Sequence, residues 1–183
     1  MSDELLVQQC APTFAGLKTG NLFCCSYDSA EQLRDEIRSL NRTLGPKGIR
    51  VIPMRCSGTR ALIYVYRPKQ LARDISQDRA RHLLTERGYP CASPDGCVVA
   101  LRNQLRKTGE FPHEIGLFLG YPPEDVDGFI RLGPEKCKCT GLWKVYGDDV
   151  QAKKTFAKYK KCTSIYCEMV ARGKTLEQLT VAV

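Results

Sequence analysis

Two runs rich in β-branched and aromatic residues, 49–55 and 60–67, stand only four residues apart. Such runs favour strands, and the intervening Cys56-Ser57-Gly58-Thr59 has the composition of a turn, so the pair predicts an antiparallel hairpin. Pro53 lies inside the first run and has no N–H to give to a ladder. The first strand is therefore predicted at a sheet edge or at a bulge.

The rest of the chain predicts an α+β fold. Residues 21–27 indicate a short buried strand, and Ser29 with Gln32 forms a capping-box pattern for a helix that ends at Gly45-Pro46. The N-terminal order is thus β-α-β-β. Four further helices are predicted over 68–87, from Ser93 to about Gly109, over 113–119 and over 123–131. A late strand follows at Gly141–Tyr146. A long helix then runs from Asp148 to about Arg172, and a tail helix begins at Thr175. This gives a single domain over 1–183, with a small sheet and a helix-rich C-terminal two-thirds.

Compartment decides how the ten cysteines are interpreted. The N-terminal MSDELLVQQC lacks the basic and apolar regions of a signal peptide, and no apolar run is long enough to span a membrane. We therefore expect a cytoplasmic protein without membrane contact, whose oligomeric state is left open. In reducing cytosol the cysteines are buried thiols, metal or cluster ligands, or redox groups rather than disulfides.

The net charge of +8 is unevenly distributed. Residues 50–107 and 136–174 are basic, whereas 110–135 are acidic, which is not the pattern of a uniformly basic nucleic-acid-binding surface. On the long C-terminal helix, five lysines share one face, namely Lys153, Lys154, Lys158, Lys160 and Lys161. This face is either solvated or directed at phosphates or RNA, and the aromatic residues on the opposite side favour the solvated alternative.

The pair Cys137-Lys138-Cys139 is the most conspicuous cysteine pattern. A C-x-C segment can bind a soft metal, but tetrahedral zinc usually uses C-x2-4-C and needs two further ligands. No C-x2-C occurs in the chain. Further ligands would come from distant positions such as Cys10 or His113. Cys162 and Cys167 point about 140° apart on a helix, so they cannot hold one ion together.

Enzyme signatures are sparse. The chain has no phosphate-binding loop, dinucleotide fingerprint or G-x-S-x-G, and H-E-x-x-H fails because position 117 is leucine. His113-Glu114 is a base with an orienting acid, a pair of metal ligands, or an ordinary helix start. For a thiol nucleophile, Cys10 or Cys139 with His113 is the predicted pairing.

Three longer stretches carry a resemblance: CAPTFAGLKTGNLF (10–23), FPHEIGLFLGYPPEDVDGFI (111–130) and CTGLWKVYGD (139–148). Together they resemble an uncharacterised bacterial family catalogued as domain of unknown function 3793. The resemblance implies a single cytoplasmic domain without an assigned reaction. It also implies relatives encoded beside ferrous-iron transport and flavodoxin genes, which favours a metal, cluster or redox role over nucleic-acid binding. The polar positions within these stretches are Cys10, Thr13, Lys18, Asn21, His113, Glu114, Cys139, Trp143 and Tyr146.

Three functional hypotheses follow. The first is an accessory protein whose thiolates hold iron, zinc, an iron–sulfur cluster or a redox cofactor, with Cys10, Cys139 and His113 as metal ligands. Lys18, Asn21, Glu114, Trp143 and Tyr146 are its candidate cofactor-binding residues. The second is a cysteine-dependent enzyme acting on an anionic small molecule, with Cys10 or Cys139 as nucleophile, His113 as base and Lys18 binding the anionic group. The third is binding of RNA or an acidic partner through 50–107 and 153–161. A small molecule or metal is favoured over nucleic acid.

Overall fold

The structure is a computed structural model that describes residues 1–108 and 111–182. It confirms an α+β chain with a small antiparallel sheet. The chain divides into two compact units, the first comprising Met1–Lys69 and Lys161–Val183 and the second Gln70–Lys160. The single domain expected over 1–183 stays a prediction.

The first unit contains a three-stranded antiparallel sheet. Its strands are β1 (Gly20–Ser26), β2 (Arg50–Ser57) and β3 (Arg60–Tyr66), in the spatial order β1-β3-β2. The predicted hairpin is β2–β3, closed by the pairing of Ser57 with Arg60. The register shifts between Pro53 and Arg55 on the edge strand β2, which confirms the bulge and the edge position expected from the proline.

Helices α1 (Asp3–Phe14) and α2 (Ala30–Leu44) pack against this sheet, and α9 (Leu176–Leu179) joins the same core. The cap predicted for α2 is confirmed, because the Ser29 side chain accepts a hydrogen bond from the Gln32 N–H at 3.1 Å. Ala61, Ile63 and Val65 alternate along β3 and belong to the buried cluster that also holds the apolar residues of both helices. Alternate residues of a strand lie on one face of the sheet, so this face forms one side of the hydrophobic core.

Helix α1 was not expected from the sequence, and it precedes the predicted β-α-β-β order. Pro12 obscures it, because proline inside a helix removes one backbone hydrogen bond. Here Pro12 lies in the last turn, and the carbonyl that loses its partner belongs to the exposed residue Gln8. Water can satisfy such a carbonyl, so the helix tolerates the proline.

A buried arginine fixes the end of α1. Arg67 is 2% exposed and donates through Nε to the carbonyl oxygen of Thr13 at 2.7 Å and through Nη2 to that of Phe14 at 2.8 Å. It also donates to the carbonyls of Lys47 at 3.2 Å and Val181 at 2.8 Å. The last carbonyls of a helix have no partner within the helix, so one guanidinium satisfies them and holds three chain segments together.

The second unit is mainly helical. Its helices are α3 (Pro68–Ser76), α4 (Asp78–Glu86), α5 (Pro94–Thr108), α6 (Ile115–Phe118) and α7 (Pro123–Leu132). The single helix predicted over 68–87 is wrong, because Gln77 adopts an extended conformation between α3 and α4. Helix α6 and helix α7 confirm the helices predicted over 113–119 and 123–131. The end predicted for α5 near Gly109 lies outside the described residues.

The late strand predicted at Gly141–Tyr146 is shorter than expected. It is a hairpin of β4 (Cys139–Thr140) and β5 (Lys144–Val145). The Gly141 N–H donates to the Trp143 carbonyl at 3.0 Å, which makes these residues a tight turn instead of a strand.

The long helix α8 (Asp149–Ala171) begins where the sequence predicts. The Asp148 carboxylate accepts from the Gln151 N–H at 2.9 Å and caps it. All five lysines of its basic face are exposed, as expected for a solvated face.

Candidate functional site

The carboxylate of Asp125 in α7 binds the β4–β5 hairpin. Asp125 is 3% exposed, and its Oδ2 accepts from the Trp143 indole N–H at 2.7 Å. Its Oδ1 accepts from the backbone N–H groups of Tyr146 at 2.7 Å and Gly147 at 2.8 Å. Three donors stabilise the buried charge, and they hold the hairpin in one position against α7.

Two glycines allow this close approach. A Cβ atom on Gly128 of α7 would overlap the ring of Tyr146, and a Cβ atom on Gly141 would overlap the ring of Phe156. Only glycine leaves room for an aromatic ring directly on the backbone. Gly128 and Gly141 therefore allow residues 111–130 and 139–148 to pack against each other and against α8.

Aromatic rings stack around Trp143, the single tryptophan of the chain. Its ring lies 4.8 Å from that of Tyr121 at an interplanar angle of 26°, and 4.5 Å from that of Phe156 at 81°. Offset stacking and edge-to-face contact are the favourable arrangements of aromatic pairs. They fix the orientation of an indole that is only 8% exposed.

A cavity of about 380 Å³ lies beside Trp143 within the second unit. Four aromatic residues line it, namely Phe111, Tyr121, Phe129 and Trp143. Pro112, Ile115, Gly116 and Val126 complete its apolar wall. The cavity falls within the size range of small-molecule sites, which are apolar with a few polar groups.

Three polar side chains border the cavity: His113, Asp125 and Lys144. The exposed His113 ring makes an edge contact with Phe129, at 5.1 Å and 75°. Lys144 is half-buried. Within the described part of the chain, neither the His113 nor the Lys144 side chain has a hydrogen-bond or ion-pair partner, whereas both oxygens of Asp125 are occupied. The wall thus offers two nitrogen-bearing groups to a bound molecule.

Glu114 and Tyr146, both predicted as cofactor-binding residues, are engaged in fold contacts. Glu114 is 3% exposed and accepts from Arg87 Nε at 3.1 Å and from the Tyr89 hydroxyl at 2.9 Å. Burial, and then the charge of Glu114, raise the pKa of Tyr89, so the phenol stays a donor. The Tyr146 hydroxyl donates to the Gly133 carbonyl at 2.7 Å. Their cofactor-binding role stays a prediction.

Cys10, Lys18 and Asn21 come together in the first unit. Lys18 Nζ donates to Asn21 Oδ1 at 2.9 Å, the Thr13 hydroxyl donates to the same oxygen at 3.1 Å, and Asn21 Nδ2 donates to the Gln9 carbonyl at 2.7 Å. Burial lowers the pKa of Lys18 to about 8. Burial also raises the pKa of Cys10, and the charge of Lys18 offsets only part of that rise. Cys10 is fully buried as a thiol, which opposes its use as a nucleophile or metal ligand.

The remaining predicted thiol, Cys139, lies in β4 opposite Val145 and is half-buried. The Cys137 sulfur lies 3.5 Å from the Thr140 hydroxyl. Among residues 1–108 and 111–182, no group of three or more His, Cys, Asp or Glu side chains is arranged to hold a metal ion. Metal binding by Cys10, Cys139 and His113 stays a prediction without a coordinating group to support it.

Sequence reasoning found His113 and Trp143 but missed the other rings of the cavity. The sequence patterns do not single out Phe111, Tyr121 or Phe129 as site residues, and Lys144 stands within the basic segment 136–174. The sequence nevertheless carries a signal, because the residues of the cavity wall are concentrated at 111–129 and 143–144, inside the two C-terminal stretches.

The fold and this cavity define an α+β protein with an aromatic pocket. The family model described as "Protein of unknown function (DUF3793)" matches residues 6–180, and the chain belongs to this family. No curated protein and no solved structure matches the chain. None of the described helices is both long and apolar enough to span a bilayer.

Proposed function

We propose that this protein binds a small, flat, largely apolar molecule in the aromatic cavity of its second unit. The observation that carries the proposal is the convergence of two separate stretches, 111–129 and 143–144, on one cavity of about 380 Å³. A cavity of this volume matches compact organic ligands of one or two rings.

The construction of the wall supports a binding role. Asp125, two close-approach glycines and the stack around Trp143 hold the walls in fixed positions before any ligand arrives. A pre-organised site loses little conformational entropy on binding, so its contacts contribute more fully to affinity. The exposed Phe111 ring, at 52% exposure, is apolar surface that a ligand would cover.

Small-molecule binding in the cavity is also better supported than a role for Cys10 as metal ligand or nucleophile. Cys10 is buried and its environment favours the neutral thiol, whereas metal binding and nucleophilic attack need the thiolate. RNA binding through the lysines of α8 has weaker support, because no described aromatic residue shares their exposed face to stack on bases.

Calorimetric titration with bicyclic aromatic compounds tests the proposal, together with the indole N–H resonance of Trp143 as a local probe. Ile115→Trp fills the cavity and is expected to weaken binding at least about tenfold. Val150→Trp introduces the same side chain at a position that is 59% exposed and outside the cavity wall, so it should bind like wild type. Equal binding by both variants, or an indole resonance that does not respond to saturating compound, would contradict the proposal.

A further inference from the structure

The charged groups around the cavity are unequally satisfied. Asp125 accepts three hydrogen bonds through its two oxygens. The Lys144 side chain makes no hydrogen bond to any described residue. Two other lysines of this region do make hydrogen bonds: Lys138 Nζ donates to the Gly147 carbonyl at 2.6 Å, and Lys153 Nζ donates to Asp149 at 2.6 Å. Lys144 is thus a cation at the cavity wall whose charge no described carboxylate or carbonyl offsets.

The surroundings of Lys144 strengthen its attraction for an anion. The residue is half-buried next to the indole of Trp143, and most of the cavity wall is apolar. Charges attract more strongly where water is partly excluded. Asp125 carries a negative charge in the same wall, but the Trp143 indole N–H and the backbone N–H groups of Tyr146 and Gly147 in the hairpin stabilise that charge.

We propose that the ligand of this cavity is an aromatic acid, whose ring lies between Phe129 and Trp143 and whose anionic oxygens bind Lys144. The inference rests on the proposed small-molecule function and names its ligand class. His113 borders the same wall and is a second nitrogen-bearing side chain without a hydrogen-bond partner among the described residues.

A matched pair of probes tests the inference. 2-Naphthoate and 2-naphthamide have the same ring and nearly the same shape, but only the first is charged. Calorimetry with the full-length protein is expected to give an affinity for 2-naphthoate at least about tenfold above that for 2-naphthamide. This preference should shrink as salt is added, because salt screens charge–charge attraction.

Variants of Lys144 assign the preference to this residue. Lys144→Gln should weaken 2-naphthoate binding at least about fivefold and leave 2-naphthamide binding unchanged, whereas Lys144→Arg should retain most of the preference. Lys154→Gln, which removes an equal charge from the solvated face of α8, is the matched control and should bind both probes like wild type.

The outcomes distinguish the preference for aromatic acids from small-molecule binding itself. Equal affinity for the acid and the amide, or a Lys144→Gln variant that keeps the preference, overturns the inference and leaves the binding function intact. Binding of neither probe overturns the small-molecule function and the inference with it. Dispersed amide resonances in each variant establish that a loss of binding does not arise from unfolding.

Discussion

Replacing Asp125 by asparagine should destabilise the fold by removing the acceptor that three donors share. An asparagine side chain offers one carbonyl oxygen, so its NH2 group must face either the Trp143 indole N–H or the backbone N–H groups of Tyr146 and Gly147. A hydrogen bond to a charged group and the satisfaction of at least one buried donor are then lost together. We expect the free energy of unfolding to fall by about 2–4 kcal/mol.

Urea unfolding, followed by Trp143 fluorescence and far-UV circular dichroism, measures this change. Asp148→Asn is the matched control, since Asp148 is an exposed carboxylate that caps α8 and asparagine caps helices about as well. Its free energy of unfolding should change by less than about 0.5 kcal/mol. If Asp125→Asn were as mild as Asp148→Asn, the buried carboxylate would not hold the hairpin, and the account of a pre-organised cavity would be refuted.

Three further perturbations test the burial of Lys18 and Cys10 and the close packing at Gly128. Burial lowers the pKa of Lys18 from 10.5 to about 8, so between these values the unfolded chain holds a proton that the folded protein releases, and the contribution of Lys18 to stability rises with pH. From about pH 7 to about pH 9 the stability of wild type relative to Lys18→Met should rise by about 1 kcal/mol in urea titrations, because this difference removes the opposing contribution of buried thiols such as Cys10; a difference that stays constant with pH would contradict the assignment. Native Cys10 should resist alkylation that modifies the exposed Cys24, as mapped by mass spectrometry, and rapid labelling of Cys10 would contradict its burial. Gly128→Ala should cost about 1–3 kcal/mol because the new methyl group meets the Tyr146 ring, whereas Gly45→Ala, with open space around its Cβ position, should be neutral or stabilising; equal unfolding midpoints would refute the close approach.

Local patterns in the sequence predicted the elements of the fold well. The hairpin, the bulge at Pro53 and the caps at Ser29 and Asp148 all depend on interactions within a few residues, which composition and spacing reveal. Helix α1 was not predicted, because a proline such as Pro12 ordinarily ends a helix. Its stability depends on the buried cluster and on Arg67, which lies far away along the chain.

The site was harder to predict, because its construction depends on distant contacts. The carboxylate of Asp125 in the first turn of α7 looks like an ordinary partner of the helix dipole, and nothing in its spacing reveals the indole of Trp143. The same limit applies to thiols, since a buried cysteine of the core and a metal ligand are identical in sequence. Cys10 belongs to the buried cluster of the first unit.

The cavity beside Trp143 is the proposed binding site for aromatic acids. Intermolecular nuclear Overhauser effects between bound 2-naphthoate and the protein test it directly, because one tryptophan gives one assignable indole. We predict contacts from the naphthalene ring to Trp143 and Phe129, with the carboxylate end nearest Lys144. Contacts confined to residues outside the cavity wall, at saturating probe, would contradict the account.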